Sequence, residues 1–174
     1  MVGVMICPKV SIIVLNYNQP ITTVKCINSL FEQDYLDFEI LIIDNGSIDN
    51  SKDVFTKNYA SNPKIKLIFN KKNLGYAGGI NLGAKHARGI YIVMLNNDMV
   101  FEKDFIKWLV ISLESSENVK IVNPIMLEMN YTNKKELSTI LINKIRLKYK
   151  KIGHTCNILG YGGYYHRKGY LKNH

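Results

Sequence analysis

The sequence predicts an α/β fold in which a mostly parallel β-sheet is covered by helices on both faces. Short, β-branched apolar runs alternate with segments whose apolar residues have helical spacing over the first 125 residues. This alternation is typical of βαβ units and a parallel sheet. Polar clusters end the runs abruptly, as expected where a strand meets a loop. The four clearest strand predictions are Val10–Leu15, Phe38–Ile43, Ile65–Phe69 and Ile90–Leu95.

Helices are predicted between these strands. Pro20 is suited to a first helical turn, and apolar positions continue at helical spacing to Phe31. Ser47 is a candidate N-cap, with Asp49 in the first turn of a helix that reaches about Tyr59. Two further helices and a fifth strand are predicted over Ala77–Ala87, Lys103–Leu113 and Val119–Val122.

Composition limits the class of protein. The chain has 174 residues, 47% of them hydrophobic and 21% charged, which suits one globular domain and excludes a disordered protein. Cys7, Cys26 and Cys156 share no short spacing, which argues against a zinc site or a disulfide framework. The sequence shows no signal-peptide pattern and no apolar stretch long enough to span a bilayer, so we expect a cytoplasmic protein.

Positive charge is concentrated near the C-terminus. The net charge is +9, and residues 137–174 contain eight Lys or Arg and no carboxylate. A solvated basic segment explains this pattern, and so does contact with anionic lipid headgroups or a phosphorylated acceptor. Nucleic acid is disfavoured because no binding motif accompanies the charge. We therefore predict a core over residues 1–125 and a basic, Gly- and Tyr-containing segment over residues 126–174.

Four polar clusters follow the four predicted strands. They are Asn16-Tyr17-Asn18, Asp44–Asp49, Asn70–Asn81 and Asn96-Asn97-Asp98. Ligands of parallel α/β sheets bind outside the carboxyl ends of the strands. The four clusters therefore predict one binding site at one edge of the sheet.

Two of these clusters suit the parts of a nucleotide. Asp44 ends an apolar strand, where its carboxylate could accept from a nucleobase imide N–H, although Asp-Asn-Gly-Ser also forms tight turns. The Gly-rich segment Asn73–Asn81 leads into a helix whose free N–H groups suit a phosphate. Close helix–sheet packing through Gly78 and Gly79 is the alternative. The glycine spacing matches neither a dinucleotide-binding nor a P-loop motif.

Asp98 is the candidate metal ligand. It stands at the exit of an apolar strand, where one carboxylate can hold Mg²⁺ or Mn²⁺ together with substrate phosphates. The alternative is that Asp98 caps the helix that begins near residues 102–104.

Together, the segments Val10–Asn18, Ile42–Asp49, Asn73–Asn81 and Leu95–Asp98 resemble family 2 glycosyltransferases, in particular their rhamnosyltransferase-like members. The resemblance implies a GT-A fold, which is Rossmann-like, and a UDP- or dTDP-sugar donor. The resemblance implies that Tyr17 lies against the base and that Asp44 accepts a hydrogen bond from the imide N–H of the base. It also implies that Asn73 and Gly75 lie near the ribose and diphosphate. The predicted donor-binding residues are Asn16, Tyr17, Asn18, Asp44, Asn73, Gly75, Asn96 and Asn97, and the predicted metal ligand is Asp98.

The family resemblance also implies a reaction. Members transfer a sugar with inversion to a glycan or lipid-linked acceptor, using a carboxylate base C-terminal to the metal motif. Here only Glu128 and Glu136 follow the last predicted strand, so no catalytic residue is assigned. Two interpretations remain: an inverting glycosyltransferase, placed peripherally at a membrane by its basic segment, or a catalytically silent nucleotide-sugar-binding module. An oxidoreductase domain is disfavoured by the glycine spacing.

Overall fold

A computed structural model of the chain describes residues 8–124, which contain four strands and four helices. The predicted elements of residues 126–174 lie outside this range. The strands are β1 (Val10–Asn16), β2 (Phe38–Asp44), β3 (Ile65–Phe69) and β4 (Tyr91–Asn96). The helices are α1 (Pro20–Phe31), α2 (Ser51–Tyr59), α3 (Gly75–His86) and α4 (Phe105–Glu114).

The strands form one sheet in the order β3-β2-β1-β4, and every neighbouring pair is parallel. The two central strands carry near-continuous apolar runs because parallel strands are covered on both faces. Val10 pairs with Phe38 at one end and Asn16 pairs with Asp44 at the other. All four carboxyl ends therefore meet at one edge of the sheet.

Helices cover both faces of the sheet, as predicted. On one face, α3 approaches β1 so closely that a Cβ on Gly79 would lie 2.3 Å from Leu15, and one on Gly83 would lie 2.6 Å from Ile13. Side chains alternate between the faces of a strand. Asn16 therefore points to the opposite face, where it contacts Thr23 of α1 and Ser51 of α2.

The described residues fall into two compact units, residues 8–31 with 35–99, and residues 32–34 with 100–124. The sheet and α1 to α3 belong to the first unit. In the second unit, Gln33 donates to the Glu102 carbonyl (2.7 Å) and accepts from the Ile106 N–H (3.0 Å). The predicted domain boundary near residue 125 stays a prediction.

The predicted strand Val119–Val122 is wrong. These residues are irregular, the Val119 N–H donates to the Ser116 carbonyl in a turn (3.0 Å), and Ile121 is exposed. Val119 and Val122 are only half-buried, and β-propensity alone does not make this short apolar run a strand.

Three helix starts differ from the prediction, and one of them is α4, which begins at Phe105, two residues after the predicted start at Lys103. α2 begins at Ser51, because the Asp49 carboxylate accepts from the Ser51 N–H and hydroxyl, and Ser47 hydrogen-bonds Asp44 instead of capping the helix. α3 begins at Gly75, two residues before the predicted start at Ala77. Within residues 8–124, no helix combines the length and the apolar character needed to cross a bilayer.

Candidate functional site

The parallel sheet brings the four predicted polar clusters to one edge. Each cluster begins at or directly after the last residue of a strand. The four polar clusters therefore lie at the carboxyl ends of the strands, and all four belong to the first compact unit.

Asp44 is a buried residue, and one of its two carboxylate oxygens accepts hydrogen bonds from the protein. Its Oδ1 accepts from Asn16 Nδ2 (2.8 Å) and from the Ser47 hydroxyl. Asp44 is 3% exposed, and its Oδ2 has no hydrogen-bond partner among residues 8–124. A carboxylate oxygen without a protein donor at the end of a parallel strand can accept a hydrogen bond from a ligand N–H.

Asn18 and Ser47 join the loops that follow β1 and β2. Asn18 adopts a left-handed conformation (φ 53°), which asparagine tolerates better than most residues. Its side-chain oxygen accepts from the Ile48 N–H (2.9 Å), and its own N–H donates to Ser47 Oγ (2.9 Å). Tyr17, the residue before it, is 44% exposed and presents its ring at this edge.

Asn45 fixes the loop that follows β3. Its Nδ2 donates to Asn73 Oδ1 (2.9 Å) and to the Gly75 carbonyl (3.1 Å), and its Oδ1 accepts from Asn70 Nδ2 (2.9 Å) and the Leu74 N–H (3.1 Å). The amide of this buried residue is thus fully used by the loop.

Gly46 allows the same loop to approach the end of β2. It has φ 77°, and a Cβ there would lie 2.5 Å from the backbone carbon of Lys72. Both the left-handed conformation and this backbone contact exclude a side chain.

Asn73 and Gly75 shape the start of α3. Asn73 Oδ1 accepts from the Gly75 N–H (2.8 Å) in addition to Asn45. Gly75 has φ 71° and open space around it. The first turn of α3, with Tyr76 and Ala77, is exposed and has no side-chain cap. The Gly75 N–H is thus taken by Asn73, whereas the N–H groups of Tyr76 and Ala77 have no side-chain acceptor among residues 8–124, an arrangement that suits an anion.

The three polar residues at the end of β4 differ in their surroundings. Asn97 donates to Thr23 Oγ1 (2.9 Å) and to Gln19 Oε1 (3.2 Å). Asn96 and Asp98 are exposed, and the Asp98 carboxylate has no hydrogen bond or ion pair among residues 8–124. Asp98 is therefore the free carboxylate of this cluster.

Cys26 of α1 lies close to this cluster, with its thiol 3.8 Å from the Asn96 carbonyl. Burial raises the pKa of Cys26 to about 12; the charge of Asp98 adds to this, and the Met99 backbone N–H acts in the opposite direction. The thiol is therefore neutral at physiological pH. It acts as a packing residue.

The residues present fit a metal only in part. Residues 8–124 contain no group of three or more His, Cys, Asp or Glu side chains that could hold an ion. Asp98 is one exposed carboxylate, and Mg²⁺ in nucleotide sites is commonly held by one or two carboxylates with substrate phosphates. The site therefore fits a metal that arrives with a diphosphate and does not fit an all-protein cage.

Sequence reasoning missed Thr23, Asn45 and Ser51, all of which are buried. The apolar spacing of α1 suggested that Ile21 faces the core, yet Ile21 is 73% exposed and Thr23 is fully buried. The available signal was position: Thr23 lies in the first turn after a polar strand end, where a hydroxyl can reach neighbouring loops.

Comparison with known proteins decides the family. The model described as glycosyl transferase family 2 matches residues 11–172. The chain belongs to glycosyltransferase family 2. An uncharacterized glycosyltransferase of Nostoc sp. is 36% identical over 116 residues, which cover 66% of this chain and 36% of the relative. The chain thus matches about a third of that relative's length.

Solved structures confirm the predicted GT-A fold. The mannosyltransferase from Pyrobaculum calidifontis in complex with GDP-Man and Mn²⁺ superposes with a TM-score of 0.64 at 23% identity, covering 70% of this chain and 36% of that chain. S. aureus TarS 1-349 in complex with UDP-GlcNAc gives a TM-score of 0.56 at 21% identity, covering 69% and 38%.

Proposed function

We propose that this region binds the nucleotide part of a nucleotide-sugar, together with Mg²⁺ or Mn²⁺, for sugar transfer to a glycan or lipid-linked acceptor. The observation that carries the proposal is the pairing of two carboxylates at one sheet edge. Asp44 is buried with Oδ2 free of partners among the described residues, and Asp98 is exposed and equally free. One suits a neutral N–H donor and the other a cation.

Asp44 and Tyr17 are assigned to the base. Asp44 Oδ2 accepts the imide N–H that uracil and thymine share, and the Tyr17 ring supplies an exposed aromatic face beside it. Asn18 acts by fixing the loop that carries Tyr17, through its contacts with Ser47 and Ile48. UDP- and dTDP-sugars are therefore the proposed donors.

The diphosphate is assigned to the start of α3. The exposed Tyr76 and Ala77 follow Asn73 and Gly75 in the first turn, and their N–H groups suit phosphate oxygens. Lys71 and Lys72 are exposed in the same loop and add positive charge. The loop is fixed by Asn45, so that these donors are positioned before a ligand arrives.

Asp98, with Asn96 beside it, is assigned to the metal. A bound divalent ion would offset negative charge on the departing diphosphate. A structural neighbour in complex with GDP-Man and Mn²⁺ supports a metal at this site, and another in complex with UDP-GlcNAc supports a UDP-sugar donor. Transfer with inversion is the proposed outcome by family, and the catalytic base stays unassigned.

A calorimetric titration of the 174-residue protein with UDP tests the donor site, with Mn²⁺ present and with the metal chelated. Asp98→Ala should weaken Mn²⁺-dependent binding by roughly tenfold or more, since hydrogen bonds and ion contacts to charged groups contribute about 1.5–3 kcal/mol. The matched control is Asp53→Asn, which alters an exposed carboxylate on α2. Equal UDP affinity with and without metal in the unmodified protein would contradict the metal assignment.

A donor-binding module without turnover is the second candidate. It is retained because no catalytic base is assigned among residues 8–124. Hydrolysis of UDP-sugars, or transfer from them, by the purified protein would exclude this module. Nucleotide binding without either reaction would favour it. Contact of the basic residues 137–174 with anionic membranes remains a separate proposal, which sedimentation with anionic and neutral liposomes tests.

A further inference from the structure

A continuous series of hydrogen bonds connects the loop at the end of β4 with the loop at the end of β2. Asn97 Nδ2 donates to Thr23 Oγ1 (2.9 Å), Thr23 Oγ1 donates to Asn16 Oδ1 (2.8 Å), and Asn16 Nδ2 donates to Asp44 Oδ1 (2.8 Å). We call these four residues the Asn97–Asp44 network. Thr23 and Asn16 are both fully buried, and neither has a side-chain atom available to a ligand at the surface.

The direction of these bonds is consistent along the whole network. Each group donates toward the carboxylate of Asp44, and each acceptor is polarised by the donor before it. The Thr23 hydroxyl has a single proton, and among residues 8–124 the Gln19 carbonyl at 3.0 Å is its only other acceptor. Among residues 8–124, Thr23 is thus the residue whose side chain hydrogen-bonds both Asn97, in the β4 loop, and Asn16, at the end of β1.

The two ends of the network are held unequally. At the Asp44 end, Ser47 also donates to Asp44, and Ser51 also contacts Asn16 (3.0 Å). At the other end, Asn97 is held by Thr23 and by a longer contact to Gln19 (3.2 Å). Loss of the Thr23 hydroxyl should therefore loosen the loop at the end of β4 more than the loop at the end of β2.

We propose that Thr23 is a positioning residue for metal-dependent donor binding. It orients Asn97, and Asn97 fixes the backbone from which the neighbouring Asp98 projects. In this assignment Asn16, Thr23 and Asn97 act through Asp44 and Asp98 and do not contact the ligand. The inference rests on the proposed donor site and adds the internal connection between its base and metal ends.

The test uses Thr23→Val, which keeps the shape of the side chain and removes the hydroxyl, and Thr23→Ser, which restores it. UDP affinity of the full chain is measured with Mn²⁺ and with the metal chelated, and the ratio of the two affinities is the readout. Thr23→Val should lower this ratio by about tenfold, which corresponds to one or two lost buried hydrogen bonds. Thr23→Ser should stay within about twofold of the unmodified protein.

Ser29→Ala is the matched control. Ser29 is a buried hydroxyl further along α1 that donates to the Cys26 carbonyl (2.7 Å). It should leave the affinity ratio unchanged. If Thr23→Val and Ser29→Ala lower UDP affinity equally with and without metal, the effect is general destabilisation and the proposal is overturned.

Asn97→Ala removes the same contact from the β4 side and replaces Thr23→Val if that variant does not fold. Where both variants fold, their losses should be less than additive, since residues in one hydrogen-bond network are coupled. Strictly additive losses would overturn the network.

Amide hydrogen exchange separates this inference from the donor site itself. Thr23→Val should speed exchange at residues 96–99, while Thr23→Ser and Ser29→Ala should not. If the unmodified protein shows no metal-dependent UDP binding, the proposed donor site fails and the exchange result alone decides the network. Unchanged exchange and an unchanged affinity ratio in Thr23→Val would refute the positioning role.

Discussion

Two buried carboxylates of β2 lie opposite polar residues of β1, one near each end of the paired strands. The two carboxylates differ in their hydrogen-bond partners. At the amino end Ser11 lies opposite Glu39, and at the carboxyl end Asn16 lies opposite Asp44. Both carboxylates are 3% exposed. The two acidic side chains are therefore equally buried but have different partners.

Every oxygen of Glu39 has a donor. Oε1 accepts from Ser11 Oγ (2.7 Å) and from the Arg88 N–H (2.8 Å), and Oε2 accepts from Arg88 Nε (2.9 Å) and forms an ion pair with its Nη2 (2.7 Å). Asp44 has no ion pair among residues 8–124, and only its Oδ1 accepts a hydrogen bond. A saturated carboxylate stabilises the fold, whereas an unsaturated one is available to a ligand.

The largest expected effect is at the amino end. Arg88→Met removes the cation and leaves Glu39 buried beside neutral donors. The free energy of unfolding should fall by about 2 to 3 kcal/mol, at the low end for a broken buried pair because Arg88 is half exposed. Urea denaturation measures this change. UDP affinity of the folded protein should stay unchanged. A loss of affinity without a loss of stability would contradict the assignment of the Glu39 end to stability and the Asp44 end to ligand binding.

The next effect is at the carboxyl end. Asp44→Asn keeps one oxygen, which the donors Asn16 and Ser47 hold inward, and places an amide N–H₂ where Oδ2 was. We expect UDP affinity to fall by about tenfold to thirtyfold, with a change in unfolding free energy below about 1 kcal/mol. Calorimetry and urea denaturation measure the two quantities. The same acid-to-amide change at the other end, Glu39→Gln, should lower the free energy of unfolding and leave UDP affinity unchanged.

The smallest effect is a pH dependence. Burial raises the pKa of Glu39, but the hydrogen bonds from Ser11 and Arg88 and the charge of Arg88 outweigh burial and hold it below its ordinary value of 4.5. A carboxyl with a lowered pKa in the folded state stabilises the fold above its unfolded-state pKa, and this contribution is lost as the pH falls through the folded-state value.

Melting curves of the unmodified protein and Glu39→Gln measure this dependence. The stability difference between them, of the order of 1 kcal/mol at neutral pH, should narrow as the pH falls below 4.5. A stability difference that persists unchanged down to about pH 3 would show that the charge of Glu39 does not contribute to the stability of the fold.

The sequence predicted the edge of the site better than its interior. The apolar runs predicted β1 to β4 to within one residue at each end, because a polar residue or cluster ends each run. Parallel topology then implied that Asn16, Asp44 and Asp98 meet at one edge. Polar side chains at that edge were all expected to face the ligand. The structure separates them, with Asn16 fully buried and Asp98 exposed.

The direction of a polar side chain depends on partners that lie far away in sequence. Asn45 looked like a turn residue, yet its amide contacts Asn70, Asn73, Leu74 and Gly75. Thr23 lies within the predicted helix that starts at Pro20, where no motif marks it, yet it connects two loops. Neither role follows from local propensity, because each requires the sheet to be formed first.

The spacing of the two polar pairs along β1 has a further consequence. Ser11 and Asn16 are an odd number of residues apart, so they occupy opposite faces as well as opposite ends, at a separation of roughly 17 Å for five residues of strand. Arg88, at the end of α3, completes the first pair, while α1 and α2 complete the second. Substitutions at the Ser11–Glu39 pair therefore need no compensation at the Asn16–Asp44 pair. Thermal stability and ligand preference can change independently as such sequences diverge.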